Sequence, residues 1–397
     1  MDSRSSVFAT ATLVCGVAFS SVFGCGSPEW GTTDMRDFEL NALADDAGKQ
    51  RLSDPTSLSA AAPGADVSAA AQSERQWREA MQQTRLPKKG CFHASHPDPA
   101  WHEVECGKAP PVPMGNPPID ADQARIMGVE PQTVGSGTGF MLKVTNPMTQ
   151  VVGSFPTVSG VTSETDGTAN GFSLQINSNL FATAACSGGG PNCLGWQQFV
   201  FSNTGNGASS LIYIQYWLVN FGNPGNPCPA GYIATSPPHC YKNSSTATIP
   251  AQTIGNLANL TLRGNAATGD TLGQDLVTLF RGSTVDAATS DNILSLAPSW
   301  NSAEFNIFGN GNSKQANFNV GSTLAIRMLS TNGTSVSPTC TGSGGVTAET
   351  NNLNLVTGSC CINGGASPGI NFLETNAAGV KAPFCVAKDL IPMLFRR

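Results

Sequence analysis

"GWQQFVFSNTGNGASSLIYIQYWLVNF", Gly195–Phe221, contains the two runs whose reading decides the fold. Successive side chains of a strand point to opposite faces. In "WQQFVFS" that period puts Gln197, Phe199 and Phe201 on one side and Trp196, Gln198, Val200 and Ser202 on the other. In "LIYIQYWLVNF" it turns Ile214, Tyr216 and Leu218 inward and Tyr213, Gln215 and Trp217 outward. Each run has one face for a core and one that mixes aromatics with amides. Trp196, Gln198, Tyr213, Gln215 and Trp217 are therefore expected to wall an open groove suited to an extended polymer.

The same pattern continues outward from these runs. "GFMLKV", "VVGSF", "GFSLQINSNLF", "NLTLRG", "LVTLF", "AEFNIF" and "STLAIRM" are short alternating stretches broken by Gly, Asn, Ser and Pro. Many such strands, with no helical stretch of useful length between them, predict an all-β, two-sheet antiparallel jelly-roll or β-sandwich over residues 136–330. Before it, residues 26–135 read as a low-complexity tether and a propeptide or cap. That segment holds an Ala/Ser linker, a short helix at "ERQWREAMQQTR" and a Pro-rich stretch containing "APPVPMGNPP". After it, residues 331–397 with four cysteines read as a disulfide-stapled extension. No internal repeat is visible.

Composition narrows the function classes. Charged residues are 12% of the chain, against roughly 25% in an average soluble protein. A net charge of -6 and the lack of a basic stripe exclude nucleic acid as a partner. "MDSRSSVFATATLVCGVAFSSVFGCGS" has Arg4, an apolar run from Val7 to Phe23 and a small residue before Cys25. It reads as a signal peptide over residues 1–25, either a bacterial lipoprotein signal that lipidates Cys25 or one cleaved just beyond it. The expected location is outside the cell or on its surface, with membrane contact only through that lipid, and the expected state is a monomer. Setting aside Cys15 and Cys25, ten cysteines remain for five disulfides. Close spacing pairs Cys91–Cys106, Cys186–Cys193 and Cys228–Cys240, leaving Cys340, Cys360, Cys361 and Cys385 to pair among themselves.

The inventory of reactive groups is short. The β domain has one histidine, His239, so a Ser-His-Asp triad has no base held on firm elements. His93, His96 and His102 cluster in the Pro-rich segment and read as surface chemistry. No P-loop or dinucleotide-binding glycine pattern occurs, and no metal or organic cofactor is expected. Glu164, Asp166, Asp270, Asp275, Asp286 and Asp291 lie in or near turn-like stretches, where exposed carboxylates are ordinary. Only Glu304, in "SAEFNIFGNGNSKQANF", sits in an aromatic-rich strand, on the face opposite Phe305 and Ile307.

In order and approximate spacing, "VVGSFPTV", "WQQFVFS", "YIQYWLVNF", "LRGNAATGDTL" and "SAEFNIFGNGNSKQANF" resemble the eqolisins, glutamic peptidases built on a two-sheet jelly roll. "FSLQINS" stands where that family has a Val-Gly-Ile-Asp-Gly strand. The resemblance covers about residues 145–330. It implies a secreted or surface-anchored endopeptidase acting on polypeptides at acid pH. Glu304 would be the acid–base and Gln198 the oxyanion donor, with Gln197 a close rival; Trp196, Tyr213, Gln215 and Trp217 would line the substrate groove. If residues 26–135 act as a propeptide, Lys88, Lys89 and Lys108 are candidates to pair with groove carboxylates. The competing reading is a non-catalytic sandwich that binds carbohydrate or a surface, with a polysaccharide in place of the polypeptide.

Thiol titration of protein recovered from an oxidising compartment should find no stoichiometric free thiol among the ten cysteines. Two or more would overturn the five-disulfide scheme.

Overall fold

The alternating runs form strands, as their period requires, and the strands stack as two large antiparallel sheets. The computed structural model describes residues 64–115, 139–205, 207, 209–222, 227–235, 239–312, 314–342, 350–356 and 358–380. Its principal strands are β1 (Cys91–Ser95), β2 (Gln150–Ser159), β3 (Gly171–Ser178), β4 (Leu194–Thr204), β5 (Ser210–Val219) and β6 (Cys240–Asn243). They continue with β7 (Leu260–Asn265), β8 (Gln274–Arg281), β9 (Thr284–Asp291), β10 (Ser302–Gly309), β11 (Thr323–Thr331) and β12 (Gly369–Thr375). The first sheet runs β1-β9-β8-β7-β2-β11-β12, with short edge strands outside β1 and β12. The second runs β6-β5-β4-β3-β10, then Phe140–Lys143 and Thr339–Gly342.

Between the sheets lies one apolar layer. Leu174 and Ile176, Phe199 and Phe201, Ile212 and Ile214, and Phe305 and Ile307 from the second sheet meet Val151, Phe155, Leu262, Leu279, Ile326 and Met328 from the first. Burying each such side chain contributes about 1.5–3 kcal/mol. The predicted inward faces of β4, β5 and β10 are therefore the observed ones.

The sandwich extends past residues 136–330 in both directions. β1 pairs with β9, Gly107–Lys108 pairs with Ser245–Ile249, and from the other end β12 pairs with β11. These pairings cover sheet edges that would otherwise present unpaired backbone groups. The helix α1 spans Gly64–Gln83, so it begins inside the Ala/Ser linker rather than at Glu74. Alanine is the best helix former, and tertiary anchors hold the C-terminal half. Trp77 and Met81 are buried against Ala94, Phe280 and Val285, and Trp77 Nε1 donates to Asp98 O at 2.7 Å. No described helix is long and apolar enough to cross a membrane.

Disulfides join Cys91–Cys106, Cys186–Cys193 and Cys228–Cys240, the three pairs predicted from spacing, and also Cys340–Cys360. Cys361 is disulfide-bonded too. Cys25 lies outside the described residues. This density of disulfides fits an oxidising environment.

Two glycines set how closely the sheets approach. A Cβ on Gly153 of β2 would lie 2.2 Å from the Phe305 ring, and one on Gly264 of β7 would lie 2.5 Å from the Phe199 ring. Both rings sit in the core directly behind the face that carries Glu304 and Gln198. Gly153→Val should destabilise the protein by about 1–3 kcal/mol through overpacking, read as a lower urea midpoint. Gly269→Ala, at a position with open space around it, should stay within about 0.5 kcal/mol of wild type.

Candidate functional site

Strand register brings a row of polar side chains together across the outer face of the second sheet. Glu304 on β10 lies opposite Asn177 on β3, Asn177 opposite Gln198 on β4, Gln198 opposite Gln215 on β5, and Gln215 opposite Asn243 on β6. Strands two apart in a sheet are separated by about 10 Å, so the Glu304 and Gln198 side chains converge over Asn177. Asn177 Nδ2 donates to Glu304 Oε2 at 3.0 Å. Gln198 Nε2 donates to Asn177 Oδ1 at 3.1 Å and to Gln175 Oε1 at 2.9 Å, and its Oε1 accepts from Trp217 Nε1 at 2.7 Å. The indole therefore fixes which end of the amide faces Glu304.

Aromatics flank the row, as the alternation predicted. Trp196 and Trp217 pack at 5.8 Å between ring centroids, and Tyr241 lies 5.1 Å from Trp217. Gln197 points the other way, into the core, where its fully buried amide makes no hydrogen bond among the described residues. Only Gln198 of the two glutamines shares a face with Glu304.

One expectation fails. The face is not open: Trp196, Gln198, Tyr213, Gln215, Trp217 and Glu304 are all fully buried. Part of the cover is the Pro-rich stretch from Pro110 to Gly115, a strap that lies across β5 and β6. Gln215 Oε1 accepts from Met114 N at 2.7 Å, and Tyr241 Oη donates to Pro111 O at 2.8 Å. Two of the three lysines proposed to pair with groove carboxylates do otherwise. Lys88 pairs with Glu103 at 2.7 Å and Lys89 with Asp291 at 2.6 Å, both on solvent-exposed surface.

The acids are also less ordinary than their turn-like sequence context implied. Asp270 and Asp291 are exposed, but Glu164, Asp275 and Asp286 are buried. Asp275 reaches into the core, accepting from Tyr216 Oη at 3.1 Å and from Ala267 N at 2.9 Å. Asp286 is held by Arg281 at 2.5 Å and by His93 Nδ1 at 2.8 Å. A further carboxyl in a strand, Glu374 on β12, lies in the C-terminal extension beyond residue 330. It is fully buried and accepts from Asn306 Nδ2 at 2.7 Å and Asn351 Nδ2 at 3.0 Å. Burial pushes Glu374 up to about 8, opposed by those two amides and reinforced by the nearby Glu304 charge. Burial likewise takes Asp275 to about 7, and takes Glu164, beside Asp166, to about 8. His239 serves a loop, its Nδ1 accepting from Asn220 N at 3.1 Å.

Sequence reasoning missed Asn177, Gln175, Asn243 and Glu374. The signal for the first two was present: "GFSLQINS" sets Phe172, Leu174 and Ile176 against Ser173, Gln175 and Asn177, the same apolar-in, amide-out alternation as β4. Chemically, the row offers a carboxylate and an amide donor on one face, flanked by aromatic walls. No family model, curated protein or solved structure matches the chain.

The raised carboxyls dictate a pH dependence. Each binds its proton more tightly folded than unfolded, so stability is fully present below about pH 4 and falls as pH rises toward 8. Thermal midpoints should therefore be higher at pH 4.5 than at pH 8, and Glu374→Gln should flatten the slope. A midpoint that climbs between those values would contradict the assignment.

Proposed function

We propose that the protein is an exported acid endopeptidase of the glutamic type, resembling the eqolisins, with Glu304 as acid–base and Gln198 as oxyanion donor. The observation that carries the reading is their convergence on one sheet face, two strands apart and joined through Asn177. Glu304 takes a proton from a water whose oxygen attacks the scissile carbonyl carbon. The carbonyl oxygen becomes an oxyanion, which replaces Asn177 Oδ1 as acceptor of a Gln198 N–H. Glu304 then returns the proton to the amide nitrogen, the C–N bond breaks, and a carboxylic acid and an amine leave. One well-placed oxyanion donor contributes about 3–4 kcal/mol. Trp196, Tyr213, Gln215 and Trp217 line the polypeptide site. Export and lipidation at Cys25 complete the proposal, which agrees with the disulfide content.

A second reading, a binding sandwich without catalysis, rests on one observation. Both hydrogens of the Gln198 amide nitrogen are already engaged, by Asn177 and Gln175, as in a purely structural network.

Glu304→Gln keeps size and hydrogen bonding but cannot relay a proton. Hydrolysis of denatured protein at acid pH should fall by at least about a hundredfold. Gln198→Ala should lose about two to three orders of magnitude in turnover. It should also lose about 1–3 kcal/mol of stability, because the Trp217 N–H is left unpaired. Full activity in Glu304→Gln, or no hydrolysis by wild type after the strap is cut, would leave the binding sandwich standing.

A further inference from the structure

The strap Pro110–Gly115 lies on the second sheet in the manner of a bound peptide. Pro110 O accepts from Asn243 Nδ2 at 2.8 Å, and Pro111 O from Tyr241 Oη at 2.8 Å. Val112 O accepts from Gln215 Nε2 at 3.1 Å, and Pro113 O from Asn312 N at 3.2 Å. Every main-chain acceptor from Pro110 to Pro113 is thus met by a donor from the sandwich. Gln215 holds the strap at two points, its Oε1 accepting from Met114 N while its Nε2 donates two residues earlier. The Met114 side chain is buried against Val200 and Tyr213, with Ala109 and Leu211 at the margin.

This surface matches one kind of chain. A polypeptide normally presents one N–H for each C=O, but proline has none. With prolines at 110, 111 and 113, the strap offers four carbonyls in a row and only one N–H among the same residues. Val112 spends that N–H internally on Pro110 O, at 2.8 Å. Opposite stand three side-chain donors and one backbone N–H. From β5, Gln215 Oε1 meets the first N–H after the prolines. A non-proline chain at these positions would bring buried N–H groups opposite donors rather than acceptors, which weakens binding. Tyr213 against Met114 and Tyr241 at Pro111 supply aromatic surface of the kind on which proline-rich segments dock elsewhere in protein recognition.

We propose that the groove over β5 and β6 is a binding site for a proline-rich segment of another polypeptide, with an apolar side chain in the Met114 pocket. The strap occupies this site in cis. This inference rests on reading the face as a polypeptide site, and it adds both the class of chain and the means of regulation. The strap's upstream end is fixed by the Gly107–Lys108 strand pairing and the Cys91–Cys106 disulfide. A tethered occupant acts at an effective concentration in the millimolar range or above. An incoming chain therefore gains the site only when the strap is cut or dislodged.

The test uses the full chain and a fluorescent peptide of sequence Ala-Pro-Pro-Val-Pro-Met-Gly, followed by anisotropy in the Glu304→Gln background so that hydrolysis plays no part. Met114→Asp, which expels the anchor, should bind the peptide at least about tenfold more tightly than the parent. Adding Gln215→Ala should remove about tenfold, the worth of two hydrogen bonds. A peptide with alanine at the three proline positions should bind at least about tenfold more weakly. Should Met114→Asp fail to fold, Met114→Ala carries the same comparison. An opened, folded variant that ignores the peptide, or binds the proline and alanine versions equally, overturns the inference. Binding with no hydrolysis when Glu304 is restored would sink the peptidase reading and leave this one intact. Hydrolysis of denatured protein with no preference for the proline peptide would do the reverse.

Discussion

A polar row buried on the outer face of a sheet is the constraint on which the rest of this structure depends. Each amide taken out of water must recover its hydrogen bonds or cost about 1–3 kcal/mol. Here the recovery runs sideways from strand to strand: Glu304 to Asn177, Asn177 to Gln198, Gln198 to Trp217, and Gln215 to Asn243. A register slip of one residue in any of the five strands would turn its member of the row into the apolar core and strand the neighbours. The row thus ties register to side-chain chemistry across half the second sheet.

The inner face enforces the same register by volume. Phe305 and Phe199 follow Glu304 and Gln198 by one residue, and each fits against a glycine of the facing sheet. Phe305 also packs on Phe155 at 5.2 Å, and Phe199 stacks on Trp300 at 5.5 Å. The aromatic side chain inside therefore holds the strand that aims the polar side chain outside. A site placed on rigid strands in this way keeps its geometry better than one carried on loops.

Much of this was legible in the sequence because a strand's side-chain period is two. Phe199 and Phe201 against Gln198 and Val200, or Ile214 and Tyr216 against Gln215 and Trp217, declare their faces without any knowledge of partners. The failures concern long-range contacts. No local pattern says that "APPVPMG", a hundred residues earlier, lies on β5, so the face looked open. Asp275 and Asp286 stand close to turn-like stretches in the sequence, yet they lie within β8 and β9, where strand pairing sinks both. Glu374 lies in a cysteine-rich stretch that looked peripheral, and only the pairing of β12 with β11 carries it to Asn306. Helix α1 gained its extra turns from alanine propensity, in a stretch whose composition resembled a linker.

The strap covers the Gln215 and Asn243 end of the row, and its chemistry suits that cover. Glu304 and Glu374 are buried near enough to interact, and two carboxyls in a dry site cannot both ionise cheaply. Burial and the nearby Glu304 charge together favour the protonated form of Glu374. Proline is well suited to the cover, because it hides the face while presenting few N–H groups that compete with the row for acceptors. A glycine- or serine-rich cover would bring an N–H at every residue and would lose more entropy on ordering. The composition of the strap and the amide chemistry beneath it thus fit one another: the strap's carbonyls take the donors of Asn243, Tyr241 and Gln215.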